Sequence, residues 1–144
     1  MMNRIIIGSD HAAFTAKEEL KSYLAQHGLE ICDVGCYSEE SVHYPQYAQA
    51  VAEKISSGEF VRGILLCGTG IGMSLAANRY RGVRATLVHD AFTAQACREH
   101  NDSNVLVMGA RVLSVEQMKE LVDIWLNTPF AGGRHAERLA MLDK

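Results

Sequence analysis

The strongest constraint in this chain is an alternation. Five short apolar runs, Arg4–Gly8, Glu30–Val34, Gly63–Cys67, Val83–Val88 and Asn104–Gly109, are separated by longer stretches with the period of a helix. Those stretches lie near Ala12–His27, Pro45–Ser57, Gly72–Arg79 and Ala91–His100, and two more follow near Val115–Asn127 and Arg134–Leu142. Strands joined by helix-length connections pair in parallel through right-handed crossovers, and a sheet so built is covered on both faces. The pattern predicts one doubly wound α/β domain over residues 1–144, with no repeat and no linker. The break Pro129–Gly133 (PFAGG) can send the final helix away from the body of the domain.

In open parallel sheets, ligands bind beyond the carboxyl ends of the strands. Ser9, Asp10 and His11 follow the first strand, Cys67–Gly72 the third, and His89 and Asp90 the fourth. One edge therefore gathers a carboxylate, an imidazole, a thiol and a glycine loop. Composition narrows the ligand: 48% hydrophobic, 22% charged and a net charge of −3 leave no basic surface for nucleic acid or an anionic membrane. No apolar run approaches the roughly 18 residues needed to cross a bilayer, and three isoleucines near the start are too few for a signal-peptide core. The expected compartment is the cytoplasm, where Cys32, Cys36, Cys67 and Cys97 stay reduced. The spacing of Cys32 and Cys36 does not match a zinc knuckle; these two and Cys97 read as small, half-buried side chains.

The loop after the third strand, CGTGIGMS (Cys67–Ser74), admits several chemistries. A dinucleotide fingerprint needs a third glycine at position 73, which is Met73, and no Gly-Lys-Ser/Thr follows for a Walker loop. A cysteine phosphatase loop needs arginine at that same position to balance charge on a transferring phosphoryl group. The remaining functional reading is an oxyanion cradle, in which Gly68, Gly70 and Gly72 let backbone N–H groups approach a ligand near a helix N-terminus. A thiolate beside such donors suits proton abstraction from carbon next to a carbonyl. The plain alternative is a buried strand end followed by a tight turn, and this stretch alone leaves both open.

Four segments carry more: GSDHAA (Gly8–Ala13), CGTGIGMSLAAN (Cys67–Asn78), REHNDSNVLVMGAR (Arg98–Arg111) and GGRHAERL (Gly132–Leu139). In this order and spacing they resemble the B-type ribose 5-phosphate isomerases, a family that also contains galactose 6-phosphate and allose 6-phosphate isomerases. The resemblance spans nearly the whole chain. It implies a Rossmann-like three-layer α/β/α fold with a five-stranded parallel sheet and a C-terminal helix. It further implies a homodimer with shared active sites (a tetramer stays open), no metal or other cofactor, and a phosphorylated aldose or ketose as substrate. By position, Cys67 matches the catalytic base, Thr69 a residue assisting at the sugar oxygens, and His100 the group that opens the sugar ring. Gly68, Gly70, Ile71 and Gly72 match the loop that stabilises the enediolate. Asp10, His11 and Asn101 match sugar and phosphate contacts, while Arg111, Arg134 and Arg138 match phosphate-holding positions, some supplied by the partner subunit. A second branch of the family lacks this cysteine and carries glutamate where this chain has Met73, so the chain sits in the cysteine branch.

Each assignment has a plainer counterpart. Arg134 and Arg138 share a helix face and can be a solvated basic stripe, His100 a helix C-terminal cap, and Asp10 an N-cap for the first helix. His27, His43 and His89 read as surface residues, His135 as pointing elsewhere than the two arginines, and Tyr44 and Tyr47 as rim or packing residues. The implied activity is interconversion of ribose 5-phosphate and ribulose 5-phosphate. The alternatives are isomerisation of a six-carbon sugar phosphate, or a binding domain that kept the arginines without turnover.

Overall fold

A computed structural model describes residues 3–143. The five strands are β1 (Arg4–Ser9), β2 (Glu30–Asp33), β3 (Gly63–Cys67), β4 (Ala85–Leu87) and β5 (Val105–Gly109). All pair in parallel, in the order β2-β1-β3-β5-β4. The helices between and after them are α1 (Phe14–Gln26), α2 (Tyr44–Ser56), α3 (Ile71–Ala77), α4 (Ala91–Glu99), α5 (Val115–Asn127) and α6 (Arg134–Leu139).

Successive side chains of a strand face opposite sides of a sheet, and the central strands are apolar on both. Ile5 and Ile7, Ile64 and Leu66, and Leu106 and Met108 pack with α1, α4 and α5 through Leu20, Leu24, Ala94, Met118, Leu121 and Trp125. Their neighbours Ile6, Leu65, Val105 and Val107 pack with α2 and α3 through Val51, Ala52, Ile55, Met73 and Ala77. Three layers result because no face of β1, β3 or β5 can be left to water: each buried Ile or Leu is worth about 1.5–3 kcal/mol.

The boundaries move for local reasons. Before α1 comes a 3-10 turn, His11–Ala13, in which the Asp10 carboxylate accepts from the Ala12 N–H at 3.1 Å, so the expected N-cap is present one turn early. β4 is shorter than its apolar run. The amides of Arg84 and Ala85 are taken by the side chains of Asn104 and Asn78 rather than by ladder partners. The expectation that the PFAGG break sends α6 away is corrected. Gly132 and Gly133 take positive φ of 71° and 59° and fold the chain back. The Ala131 N–H donates to Glu99 O at 3.1 Å, and Asp143 accepts from the Gly82 N–H at 3.1 Å. Leu139 and Leu142 then line a cleft with Val83, Arg84 and Thr86.

Three cations are buried where the sequence pattern suggests none: Lys17, Arg62 and Arg98. Lys17 donates to Asp33 at 2.5 Å and Lys21 to the same carboxylate at 2.7 Å. Burial works to raise the Asp33 carboxyl, but the hydrogen bonds from Lys17, Lys21 and the Gly35 N–H outweigh it and hold it below its ordinary value. Cys36 and Cys97 are buried, whereas Cys32 is exposed rather than half-buried.

Candidate active site

β1 and β3 lie side by side at the centre of the sheet, and the chain leaves them toward opposite faces, β1 to α1 and β3 to α3. The crevice outside their carboxyl ends is where an open α/β sheet presents a ligand site. Cys67 closes β3 there, 6% exposed, and its Sγ accepts a hydrogen bond from the Gly70 N–H at 3.1 Å. Gly70 has φ 86°, and a Cβ on it would stand 2.5 Å from Leu87 Cδ1 and 3.2 Å from the Met108 carbonyl carbon. Only glycine lets the loop turn back over its own cysteine at this position.

The loop is clamped from behind. Ala110 N–H donates to Cys67 O and Arg111 N–H to Gly68 O, at 2.8 and 2.9 Å. A Cβ on Gly109 would meet the Thr69 carbonyl at 2.6 Å, so the end of β5 lies directly against the loop. With these contacts made, the N–H groups of Gly68, Thr69 and Gly72 have no acceptor among the described residues. Thr69 Oγ1 accepts from the Ile71 N–H at 3.2 Å, which leaves its hydroxyl hydrogen free to donate outward. The result is a nearly buried thiol under a set of open donors.

Other groups sit on the same edge. Arg111 lays its guanidinium over Gly68, 3.3 Å from where a Cβ would be. Asp10 is buried beside the 3-10 turn. The Val42 N–H donates to Nδ1 of His11 at 3.1 Å, so the proton of the neutral ring is on Nε2. Tyr44 covers Gly72, whose Cβ would lie 2.6 Å from the ring, which makes it a wall of the crevice. Sequence spacing left Tyr44 at the rim or in packing; the signal that separates these is Gly72 itself, a glycine inside a helix with a ring above it.

His100, Asn101, Arg134 and Arg138 are elsewhere. α4 runs back from the carboxyl end of β4 toward the start of β5, so His100 caps it at the amino edge, its N–H donating to Ala96 O at 2.8 Å. The structure does not bring His100 and Cys67 of one chain together. With Gly63 opposite Val105 and Cys67 opposite Gly109, a rise of about 3.3 Å per residue puts roughly 13 Å of sheet between the two edges.

The turn after His100 is held tightly. Arg98 Nη1 donates to Asp102 Oδ1 at 2.8 Å and to Ser103 O at 2.7 Å. Arg84 donates to Asp102 O at 2.8 Å and to its carboxylate at 3.3 Å, and Asp102 is held at φ 47°. The His135 ring, expected to point elsewhere than the two arginines, stacks on His100 with centroids 4.6 Å apart and planes 19° from parallel. Lost hydration, followed by the charges of His100, Arg134 and Arg138, lowers His135 from the ordinary histidine value. Arg134 and Arg138 stand one turn apart on α6, exposed, and neither pairs with a carboxylate among the described residues.

Fold and site together define a doubly wound α/β protein with a thiol and glycine crevice at the point where the strand order reverses. Residues 5–142 match the ribose/galactose isomerase family. A ribose 5-phosphate isomerase from Thermotoga maritima superimposes with a TM-score of 0.95 at 52% identity, covering 97% of each chain. Ribose-5-phosphate isomerase B of Escherichia coli is 44% identical over 138 residues, 96% of this chain and 93% of that protein. A D-erythrulose-4-phosphate isomerase from Pectobacterium atrosepticum is 42% identical over 139 residues, 96% of this chain and 91% of that protein. The chain belongs to the ribose/galactose isomerase family.

Proposed function

We propose that the protein interconverts ribose 5-phosphate and ribulose 5-phosphate through an enediolate, as a homodimer whose active sites are shared. The observation that carries the reading is Cys67 Sγ under the Gly70 N–H, at 3.1 Å, in a loop where the N–H groups of Gly68, Thr69 and Gly72 are open. In the open-chain aldose the thiolate takes the proton from C2, the enediolate charge falls on O1 against the Gly68, Gly70, Ile71 and Gly72 loop, and the hydroxyl proton of O2 passes to O1. The proton is then returned to C1 and the ketose forms. Donors aimed at charge that develops only in the transition state accelerate the step without tightening the ground state. Thr69, with its hydroxyl hydrogen free, assists at the sugar oxygens.

The partner subunit's His100 opens the furanose ring, and the partner subunit's Asn101, Arg134 and Arg138 bind at the far end of the substrate. Asp10, His11 and Arg111 meet the sugar phosphate from the chain that carries Cys67. The arginines suit a phosphate because a guanidinium presents paired donors to its oxygens. Support for a shared site comes from the roughly 13 Å of sheet between the two groups within one chain, which no proton transfer bridges. Exposed apolar residues on α3, Ile71 and Leu75, flank the Cys67 loop and offer a surface for that second copy.

The test is turnover of the purified protein with EDTA present on ribose 5-phosphate, allose 6-phosphate and erythrulose 4-phosphate, side by side. The expected result is chelator-resistant turnover with the highest kcat/KM on ribose 5-phosphate. Cys67→Ala lowers kcat by about 10²–10⁴-fold, the usual worth of a general base, with binding of a phosphate ligand nearly unchanged. A higher kcat/KM on the six-carbon substrate replaces the proposed sugar, and no turnover on any of the three refutes the isomerase.

A further inference from the structure

Beyond the crevice, the amino edge of the sheet holds a cavity of about 540 Å³ lined by Arg62, Arg84, Arg98 and Asp102, with Phe60 and Phe130 on its apolar walls. Arg62 precedes β3 and is 5% exposed, yet it has no carboxylate partner among the described residues. Its guanidinium lies 4.9 Å from the centre of the Trp125 ring and donates one long hydrogen bond, 3.4 Å, to Trp125 O. A guanidinium has five N–H donors, so the Nε and Nη2 groups of Arg62 are open. Arg98 spends Nε on Thr128 O and Nη1 on Asp102 and Ser103 O, which leaves its Nη2 open as well. Among the described residues no sealed side-chain nitrogen lacks a partner, so the open nitrogens of Arg62 and Arg98 keep some accessible surface, and both arginines line the cavity.

Charge points the same way. Three guanidinium groups face one carboxylate, and that carboxylate is already shared between Arg98 and Arg84. The C-terminus of α5, where Trp125 O lies, supplies only about half a negative charge. Burial and then the like charge of Arg98 pull Arg62 down to about 10 against the opposing charge of Asp102, still a cation at neutral pH but with no carboxylate in contact among the described residues. An apolar residue in its place would remove this electrostatic cost.

We propose that this cavity is a second anion site, distinct from the crevice at Cys67, that takes a phosphate dianion, free or as a small monoester, on the open donors of Arg62 and Arg98. The charge surplus fits a dianion, and planar forks of donors fit phosphate oxygens. Phe60 and Phe130 provide an apolar wall for the body of a monoester. The site does not depend on the isomerase reading: Arg62 has no part in the reaction, and Arg84, Arg98 and Asp102 bear on it only through the turn that carries His100.

Trp125 is the only tryptophan of the chain, and Arg62 lies on its ring, so the site has a built-in reporter. Inorganic phosphate and phenyl phosphate are titrated at constant ionic strength, with chloride as the balancing salt, and Trp125 fluorescence is followed. The wild-type protein gives a saturating change, Arg62→Met weakens it by about tenfold or more, and the Arg134→Gln/Arg138→Gln variant leaves it in place. Tighter binding of phenyl phosphate marks a monoester as the ligand; equal binding marks free phosphate. A change that follows ionic strength alone, that survives Arg62→Met, or that disappears in the Arg134→Gln/Arg138→Gln variant overturns the proposal. Should Arg62→Met fail to fold, calorimetry on the Arg134→Gln/Arg138→Gln protein decides: one phosphate per chain is expected, and none refutes the site.

Discussion

Two inactive variants, mixed, should make an active enzyme. Cys67 and His100 lie at opposite ends of the paired strands β3 and β5, and Cys67↔Gly109 and Gly63↔Val105 fix the register. Proton transfer needs a group within about 2.6–3.2 Å of its target, so one chain cannot apply both residues to one sugar. Take Cys67→Ala and His100→Asn, each impaired in isolation. In a two-fold dimer that contains one chain of each, one site combines the intact Cys67 with the partner subunit's intact His100, and the other site carries both substitutions. Random pairing of equal amounts makes half the dimers mixed, each with one good site of two, so activity returns to about one quarter of wild type for an isologous dimer.

The assay is formation of ketose from ribose 5-phosphate by co-expressed and separately tagged variants, with homodimers as controls. Co-expression lets pairing occur during folding, so slow subunit exchange does not hide the effect. Recovery near one quarter, and near one half in dimers purified through both tags, is the expected outcome. A mixture no more active than the mean of its two homodimers places Cys67 and His100 in the same chain's site and refutes the shared geometry.

Other expectations follow from single contacts. His100→Asn should lower turnover on cyclic ribose 5-phosphate far more than on an open-chain analogue; equal losses argue against ring opening. Gly70→Ala puts a Cβ 2.5 Å from Leu87 Cδ1 at φ 86°, so kcat and melting temperature should both fall. Gly82→Ala, at φ 79° with nothing within 4 Å, should cost only the backbone strain, about 1–2 kcal/mol, with kcat unchanged. Asp33→Asn leaves buried Lys17 with Glu18 as its remaining carboxylate, at 3.0 Å, so the loss at neutral pH by denaturant unfolding should fall below the roughly 3–5 kcal/mol of an orphaned buried charge. Because the folded Asp33 carboxyl lies below its ordinary value, its contribution is complete above the unfolded value of about 3.9 and fades as pH falls toward the folded one. The variant should therefore lose less stability than wild type on acidification below about pH 4, and parallel acid limbs would refute the assignment.

The sheet was legible because β1, β3 and β5 carry unbroken apolar runs: Ile5, Ile6 and Ile7 in a row have no meaning on a one-sided strand. The crevice was legible because each polar cluster directly follows a strand. Features set by distant chain segments were not. Lys17 looks like an ordinary helix-surface lysine until Asp33 of β2 comes beside it. Arg62 looks like a turn residue until Trp125 of α5 arrives beneath it. The direction of α6 hangs on Gly82 and Glu99, remote in sequence from the Gly132–Gly133 break that turns it.

One further step was available in the sequence. Any helix in a parallel sheet must return the chain to the amino edge before the next strand can start. His100 ends such a helix and Cys67 ends a strand, so topology alone assigns them to opposite edges. A motif set that needs both residues on one substrate is therefore a statement about two chains, made before any side chain is placed. The tight turn at His100, held by Arg98, Arg84 and Asp102, then has a reason within the proposed dimer. A group that serves a neighbour's substrate cannot be oriented by contacts in its own crevice, so its orientation has to be built into the turn that carries it.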